Sequence, residues 1–281
     1  MEQLPRLQKR IESLKELQDL IHALRALAAS HVQQAQGALE GIRQYVSVVE
    51  DAILEGAALL PETGRGDGNH ATGNQDLLLV VCSEHGFVGG FNEKLLNHAL
   101  AERLPDEKLV IVGQRGAGLA EERSLESVKQ FPMATHVGGV LAVARRVADY
   151  MATAVRARVV YGRYEKGGRY DVALRSILPL DPVLLKGKAG PKPPLHHLDP
   201  ETLITRLANE YLLAEITGAI MESLASENGA RLGVMESADH NISDKLDGFE
   251  RQEHSLRQES ITSEMLDVVT GSEAIMSSGA I

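Results

Sequence analysis

The chain has 281 residues, 43% hydrophobic and 24% charged, with no Trp and a net charge of −10. No apolar run reaches the roughly 18–20 residues needed to span a bilayer, and the opening MEQLPRLQKR carries no signal-peptide core. One cysteine, Cys82, excludes an internal disulfide, and an acidic chain argues against a phosphate-binding, nucleic-acid role.

Between Pro5 and Pro61 there is no proline. Leu7, Ile11, Leu14, Leu17, Ile21, Leu24, Leu27, Val32, Ala35, Leu39, Ile42, Val46, Val49 and Ile53 recur every three to four residues. That spacing predicts a helix from about Leu4 to Glu55, roughly 75 Å long at 1.5 Å per residue. Residues 1–60 are therefore read as one helical segment. Within it, Ala23 to Gln36 is rich in small side chains, which admit a close neighbour.

Pro61 to Gln75 contains four glycines and reads as a flexible linker. Residues 76–185 then alternate apolar runs with helical patterns. DLLLVVCS, KLVIVG, SVKQF, ARVVYGRYE and RYDVALRSILPL read as strands; FNEKLLNHALAERL and GGVLAVARRVADYMATAVRA read as helices. Alternation of this kind predicts a Rossmann-like α/β domain with a mainly parallel sheet. Its last two strands form an antiparallel hairpin through Lys166, Gly167 and Gly168. Cys82 sits in an apolar run and reads as a small buried residue.

Gly86, Gly89 and Gly90 follow the first strand with the spacing G-x-x-G-G. This is neither the G-x-G-x-x-G of dinucleotide sites nor a P-loop. A tight turn and close helix–strand packing account for them, with nucleotide binding as the weaker alternative. Ser83, Glu84 and His85 are contiguous and lack the setting of a catalytic triad. Residues 186–200 form a second, proline-stiffened linker, in which adjacent His196 and His197 lack the spacing of a metal site.

From residue 201 to 281 no proline interrupts the chain. Asp199 is placed to cap a helix with Pro200 at its first position. Leu203, Leu207, Tyr211, Ala214, Gly218, Met221, Ala225, Leu232, Met235, Ile242, Leu246, Phe249, Leu256, Ile261, Met265 and Val268 trace a drifting apolar stripe. About 70 residues of helix would extend roughly 100 Å. Gly218, Gly229, Gly233 and Gly248 cost helix stability and predict close helix–helix contact in return, with bending at these points as the alternative. Met276 to Ile281 reads as a frayed end. This segment carries 5 basic and 15 acidic side chains, the whole of the net charge. Two long, narrow-striped helices at opposite ends of one chain suggest an antiparallel coiled coil closing on itself. The alternative is two unrelated amphipathic helices folded onto the middle domain.

Four blocks carry a resemblance to a known family. RALAASHVQQAQ (Arg25 to Gln36) is similar to the N-terminal signature of the γ subunit of F-type ATP synthases, and SEHGFVGGFN (Ser83 to Asn92) resembles that family's loop after the first strand of its middle domain. ENGARLGVMESADHN (Glu227 to Asn241) and RQESITSEMLDVVTGSEAI (Arg257 to Ile275) resemble its C-terminal signature.

The resemblance implies an α/β head with a long coiled coil made by the two ends. The whole would be a central-stalk rotor coupling ion-driven rotation of a membrane c-ring to ATP synthesis or hydrolysis. The implied partners are the α and β subunits of the catalytic ring, the ε subunit and the c-ring, with no nucleic acid and no direct membrane insertion. The implied place is the cytoplasmic face of the bacterial plasma membrane. No cofactor, metal or catalytic residue is implied; the subunit is not itself an enzyme. Carried over by position, Leu24, Ala28, Ala29 and Ser30 match rotor surface, and Arg257, Gln258, Thr262 and Glu264 match contacts to loops of the β subunits. Two departures, the lysine-poor N-terminal signature and the acidic C-terminal helix, suggest a divergent member resembling the alternate F-type ATPases that some bacteria carry, with proton or sodium left open as coupling ion. The competing reading is a coiled-coil scaffold or adaptor with an α/β head and no role in ATP turnover.

Overall fold

The computed structural model describes residues 3–60, 75–165, 167–186 and 195–278. Most of both sequence-predicted linkers, Lys166, and the last three residues of the expected frayed end lie outside them. The chain forms two compact units, Leu27–Val234 and Met1–Ala26 with Met235–Ile281.

The larger unit is built on a five-stranded sheet of order β3-β2-β1-β4-β5. Its strands are β1 (Gln75–Val81), β2 (Glu107–Val112), β3 (Ser127–Phe131), β4 (Ala154–Tyr164) and β5 (Tyr170–Leu178). The first four run parallel, and β5 returns antiparallel to β4 as the hairpin reading requires. Five helices share this unit in whole or in part with α1 (Gln3–Ala57): α2 (Phe91–Glu102), α3 (Gln114–Glu122), α4 (Val140–Met151), the single turn α5 (Pro182–Leu185) and α6 (Pro200–Ser278).

The unbroken DLLLVV run of β1 follows from burial on both faces. Leu77, Leu79 and Val81 join one core with α1, α4 and α6, while Leu78, Val80 and Cys82 join the other with α2 and α3. The chain leaves β1 through α2, α3 and β3 in one direction, then returns by α4 to β4 on the other side of β1. The sheet's topological switch point therefore lies between the carboxyl ends of β1 and β4.

Three helical details differ from the periodicity reading. QRGAGLAEE is the helix α3, which the sequence pattern missed; its two glycines dilute the helical signal. Helix α4 stops at Met151 instead of continuing to Ala157, because Ala154–Tyr164 is committed to pairing with β1. The turn α5 was also not predicted; Asp181 caps it, its Oδ1 accepting from Val183 N at 2.8 Å with Pro182 following.

Helix α6 begins as expected: Asp199 Oδ1 accepts from Thr202 N at 3.0 Å, with Pro200 the first helical residue. From Tyr211 to Gly229 its burial departs from a single stripe. Every residue from Ala219 to Gly229 is buried, since this stretch is sandwiched between the sheet and α1. A helix enclosed on all sides loses its amphipathic signature.

In the smaller unit, α1 and α6 pair antiparallel. Gln8 Nε2 donates to Glu253, Lys15 meets Glu250, Gln18 Nε2 donates to Asp239 and Ser243, and Arg25 reaches Glu236, so rising numbers on one helix meet falling numbers on the other. The seam on α1 is Leu7, Ile11, Leu14, Gln18 and Ile21. Leu17, predicted to lie on the stripe, is 43% exposed because Gln18 takes the facing position. In the larger unit the same shift exposes Leu27 (57%) and buries Ala28 (2%).

The glycines of α6 also divide. Gly229 approaches another backbone, but it belongs to the β4–β5 hairpin: a Cβ there would stand 2.9 Å from Gly168 O. A Cβ on Gly218 would make ordinary contact with Ile42 of α1, as the expected helix–helix contact requires, whereas a Cβ on Gly233 or Gly248 would meet no other element within 4 Å, so close packing does not account for those two.

Candidate functional site

In open α/β sheets, ligands bind outside the carboxyl ends of the strands at the switch point. Here that crevice holds the chain's own side chains. Ser83, at the end of β1, is fully buried; its N donates to Asn92 Oδ1 at 2.9 Å, Asn92 Nδ2 donates to Ser83 Oγ at 2.8 Å, and Ser83 Oγ donates to His85 O at 3.0 Å. Glu84 turns the other way, its Oε2 accepting from Gln114 N at the start of α3 and from Met133 N at 2.7 Å. A carboxylate thus occupies the positive helix end where a phosphate would otherwise be welcome. Ser83, Glu84 and His85 share no common focus.

The glycine that brings α3 against β1 is one the sequence reading did not single out. A Cβ on Gly116 would lie 2.1 Å from Cys82 Cβ, and Gly113, at φ +102°, would place one 2.5 Å from Cys82 O. Of the loop glycines singled out in the sequence, Gly89 takes a left-handed φ of +55°, while a Cβ on Gly90 would meet nothing within 4 Å. Burial pushes the Cys82 thiol up to about 12, helped by the charge of Glu227, so it stays protonated as a packing residue.

Across this crevice lies α6. Ser223 Oγ donates to Val81 O at 2.7 Å, and Ser226 Oγ to Gly162 O at 2.8 Å. Glu222 accepts from Tyr164 N at 2.9 Å and from Arg43 of α1 at 2.8 Å. Arg231 donates through Nε and Nη2 to Gly86 O at 3.3 and 3.2 Å, and also to Asn228 and Glu227. Glu227 is 3% exposed; burial raises its pKa, and the adjacent Arg231 charge only partly opposes this. Its Oε2 has no hydrogen-bond partner among the described residues. Glu222, Ser223, Ser226 and Arg231 are structurally engaged residues that periodicity did not mark, because each resembles an ordinary polar helix position.

The residues carried over by resemblance fall elsewhere. Leu24 is half-buried and Ala28 buried, whereas Ala29 and Ser30 are exposed. Arg257, Gln258, Thr262 and Glu264 are all exposed on α6. Arg257 bonds Glu253 one turn back at 2.6 Å, and the Thr262 hydroxyl donates to Gln258 O at 2.8 Å. Around them Ile261 (58%), Met265 (70%) and Val268 (72%) are open, although the stripe predicted them covered. The last described side-chain bond between α1 and α6 joins Gln8 to Glu253, and these three residues lie further along α6. Ile261, Met265, Leu266, Val268 and Val269 thus form an exposed apolar run on an otherwise acidic helix. Among the described residues no group of three or more His, Cys, Asp or Glu is placed to hold a metal, and no helix is long and apolar enough to cross a membrane.

A family model described as ATP synthase matches residues 3–275. The chain belongs to the ATP synthase family. Similar relatives include the ATP synthase gamma chain of Moorella thermoacetica, 27% identical over 96% of this chain and 98% of its own. That of Dinoroseobacter shibae is 29% identical over 98% and 100%. Among solved structures, a chain of the Euglena gracilis mitochondrial ATP synthase, OSCP/F1/c-ring, superposes with a TM-score of 0.65 at 16% identity, over 99% of this chain and 96% of that one. The shared fold, a mostly parallel sheet with long terminal helices, is the one described above, and its relatives keep it at modest identity.

Proposed function

We propose that this member of the ATP synthase family is the central-stalk rotor subunit, coupling ion-driven rotation of a membrane c-ring to ATP synthesis or hydrolysis at an α/β ring. The observation that carries the reading is the single helix α6. It is locked into the sheet over Tyr211–Gly229, pairs with α1 over Glu236–Glu253, and then exposes an apolar run from Ile261 to Val269.

Under this reading, residues 1–60 and 201–281 form the rotor's coiled coil and 76–185 its head. The ATP chemistry takes place in neighbouring subunits, and this subunit contributes changing contacts. A rotor biases a site only if its surface meets the open and closed states differently. The partners are the α and β subunits, the ε subunit and the c-ring. The place is the cytoplasmic face of a bacterial plasma membrane, held peripherally by the complex. Leu24, Ala28, Ala29 and Ser30 belong to the rotor surface, and Arg257, Gln258, Thr262 and Glu264 touch loops of β. Ala28, being buried, supports that surface from beneath.

The test is assembly of the full chain with its α and β subunits, followed by ATPase measurement. Thr262→Ala should assemble normally and change the rate. An unchanged rate with the double change Arg257→Ala, Gln258→Ala would remove those two residues from the contact set, and failure of the wild-type chain to co-purify with α and β would refute the rotor reading itself. Rates with and without sodium in the assembled complex decide the coupling ion.

A further inference from the structure

Hydrophobic contact is not directional, so a helix sandwiched in a greasy groove can slide or roll. The middle of α6 is held against both motions by a set of side-chain-to-main-chain bonds. Ser223 binds the last carbonyl of β1, Ser226 binds Gly162 in β4, Glu222 receives the Tyr164 amide, and two turns later Arg231 grips Gly86 in the loop after β1. Close approaches reinforce them: the backbones of Gly229 and Gly168 meet at the hairpin, and Gly162 lies so near the helix that a Cβ on it would stand 2.9 Å from the Ser226 Cβ. All of these contacts lie at or just beyond the carboxyl ends of β1 and β4, and they hold the helix over roughly half of its circumference, with Arg231 about 180° from Glu222 at 3.6 residues per turn.

We infer that this cluster is a torsional lock in which Arg231, Ser223 and Ser226 are positioning residues, fixing the rotation of α6 about its own axis relative to the sheet so that torque passes between them without slip. The inference rests on the rotor reading. Arg231 is the member furthest along the helix, with its side chain only 13% exposed. Its guanidinium binds three partners at once: the Gly86 carbonyl, Asn228 and Glu227. A planar fork holds orientation as a point charge cannot. Losing the Gly86 bond would free the loop from the helix while the apolar core below, Leu224 and Ala225 among it, still held α6 in its groove. The lock therefore predicts loss of angular stiffness without loss of folding.

The experiment uses the complete complex, assembled around Arg231→Ala, Arg231→Lys and the double variant Ser223→Ala, Ser226→Ala. Three quantities are read: ATP turnover, ion transport per ATP hydrolysed, and the angular spread of a probe fixed to the sheet domain during stalled rotation. Arg231→Ala and the serine double variant should keep turnover, lose ion transport per ATP and broaden the angular spread. Arg231→Lys, which keeps charge and can still reach the Gly86 carbonyl, should recover part of both losses. Unchanged spread and unchanged transport ratio in both the Ala and the serine variants would overturn the lock. Should Arg231→Ala fail to assemble, the serine pair decides alone, since it removes hydroxyls and no charge. A wild-type chain that joins no complex would instead overturn the rotor reading, so the two failures are distinct.

Discussion

Glu215 supplies the sharpest test of the energetics. It lies on α6 within the sandwich, 4% exposed, facing Arg175 of β5. Arg175 Nη2 stands 2.8 Å from Oε1, yet that oxygen lacks a partner of proper hydrogen-bond geometry, so the pair is close but poorly joined. Burial is the dominant influence on the carboxyl and outweighs the Arg175 charge, raising its pKa from 4.5 to about 7. The sign follows from proton counting. Between about pH 4.5 and 7 the folded chain keeps a proton that the unfolded chain releases, so stability is full below this window and declines as pH rises through it. A shift of this size corresponds to about 3 kcal/mol at most. Glu215→Gln mimics the protonated form and should match the wild type at pH 5. At pH 8 it should be more stable by up to about 3 kcal/mol, or roughly 6–12 °C in melting temperature. Arg175, with its side chain 45% exposed, can turn to water once the carboxylate is gone. Urea and thermal unfolding of the full-length chain at pH 5, 6.5 and 8 would measure this. Parallel pH profiles for the two proteins, or a Gln variant less stable at pH 8, would refute the argument that burial dominates at this site.

Two further substitutions test packing. Arg158→Ala should destabilise the chain by about 3–5 kcal/mol, since it strands Glu107, whose side chain is fully buried and bonded by both Arg158 and the Leu104 amide. Urea unfolding checks it, and pairing Arg158→Met with Glu107→Gln should recover most of the loss. Gly116→Ala drives a Cβ to 2.1 Å from Cys82 Cβ and should cost more than the ~1–3 kcal/mol of ordinary overpacking. A companion Cys82→Ala change should not rescue it, because removing the sulfur, 2.4 Å from the new Cβ, leaves the 2.1 Å collision with the Cys82 Cβ in place; thermal melts of the single and double variants would decide.

What the sequence discloses, and what it hides, follow one physical division. Long proline-free stripes announce α1 and α6, because helix periodicity is local and needs no knowledge of the partner. The alternation in 76–185 likewise betrays a parallel sheet. Yet the choice between Leu17 and Gln18, or Leu27 and Ala28, as the seam residue depends on the facing helix. Hydrophobicity alone favours leucine, while the fold puts Gln18 against Asp239 and Ser243 and buries Ala28. Helix α3 was missed because Gly116 and Gly118 argue against helix locally, and the reason for Gly116 (the wall of Cys82 behind it) is visible only in three dimensions. The exposed candidates Arg257, Gln258, Thr262 and Glu264 were legible only through resemblance, for nothing in their own pattern separates them from a solvated helix face.

The buried polar belt on α6 is the least legible feature, and its presence needs a reason beyond stability. Burying an ion pair such as Glu227–Arg231 roughly breaks even against well-packed apolar residues, and leaving Glu227 Oε2 without a partner makes the balance worse. A helix meant only to fill the groove between sheet and α1 would be better served by leucine and alanine throughout, as it is at Leu224 and Ala225. Polar groups in a low-dielectric interior are costly when misaligned, and that penalty is what confers uniqueness of register. For an ordinary core helix such uniqueness is a minor gain. For a helix that must carry rotation from one assembly to another, a roll of one residue, roughly 100° at 3.6 residues per turn, would misplace every contact further along. The expense at residues 222–231 is therefore best understood as the cost of a fixed angle.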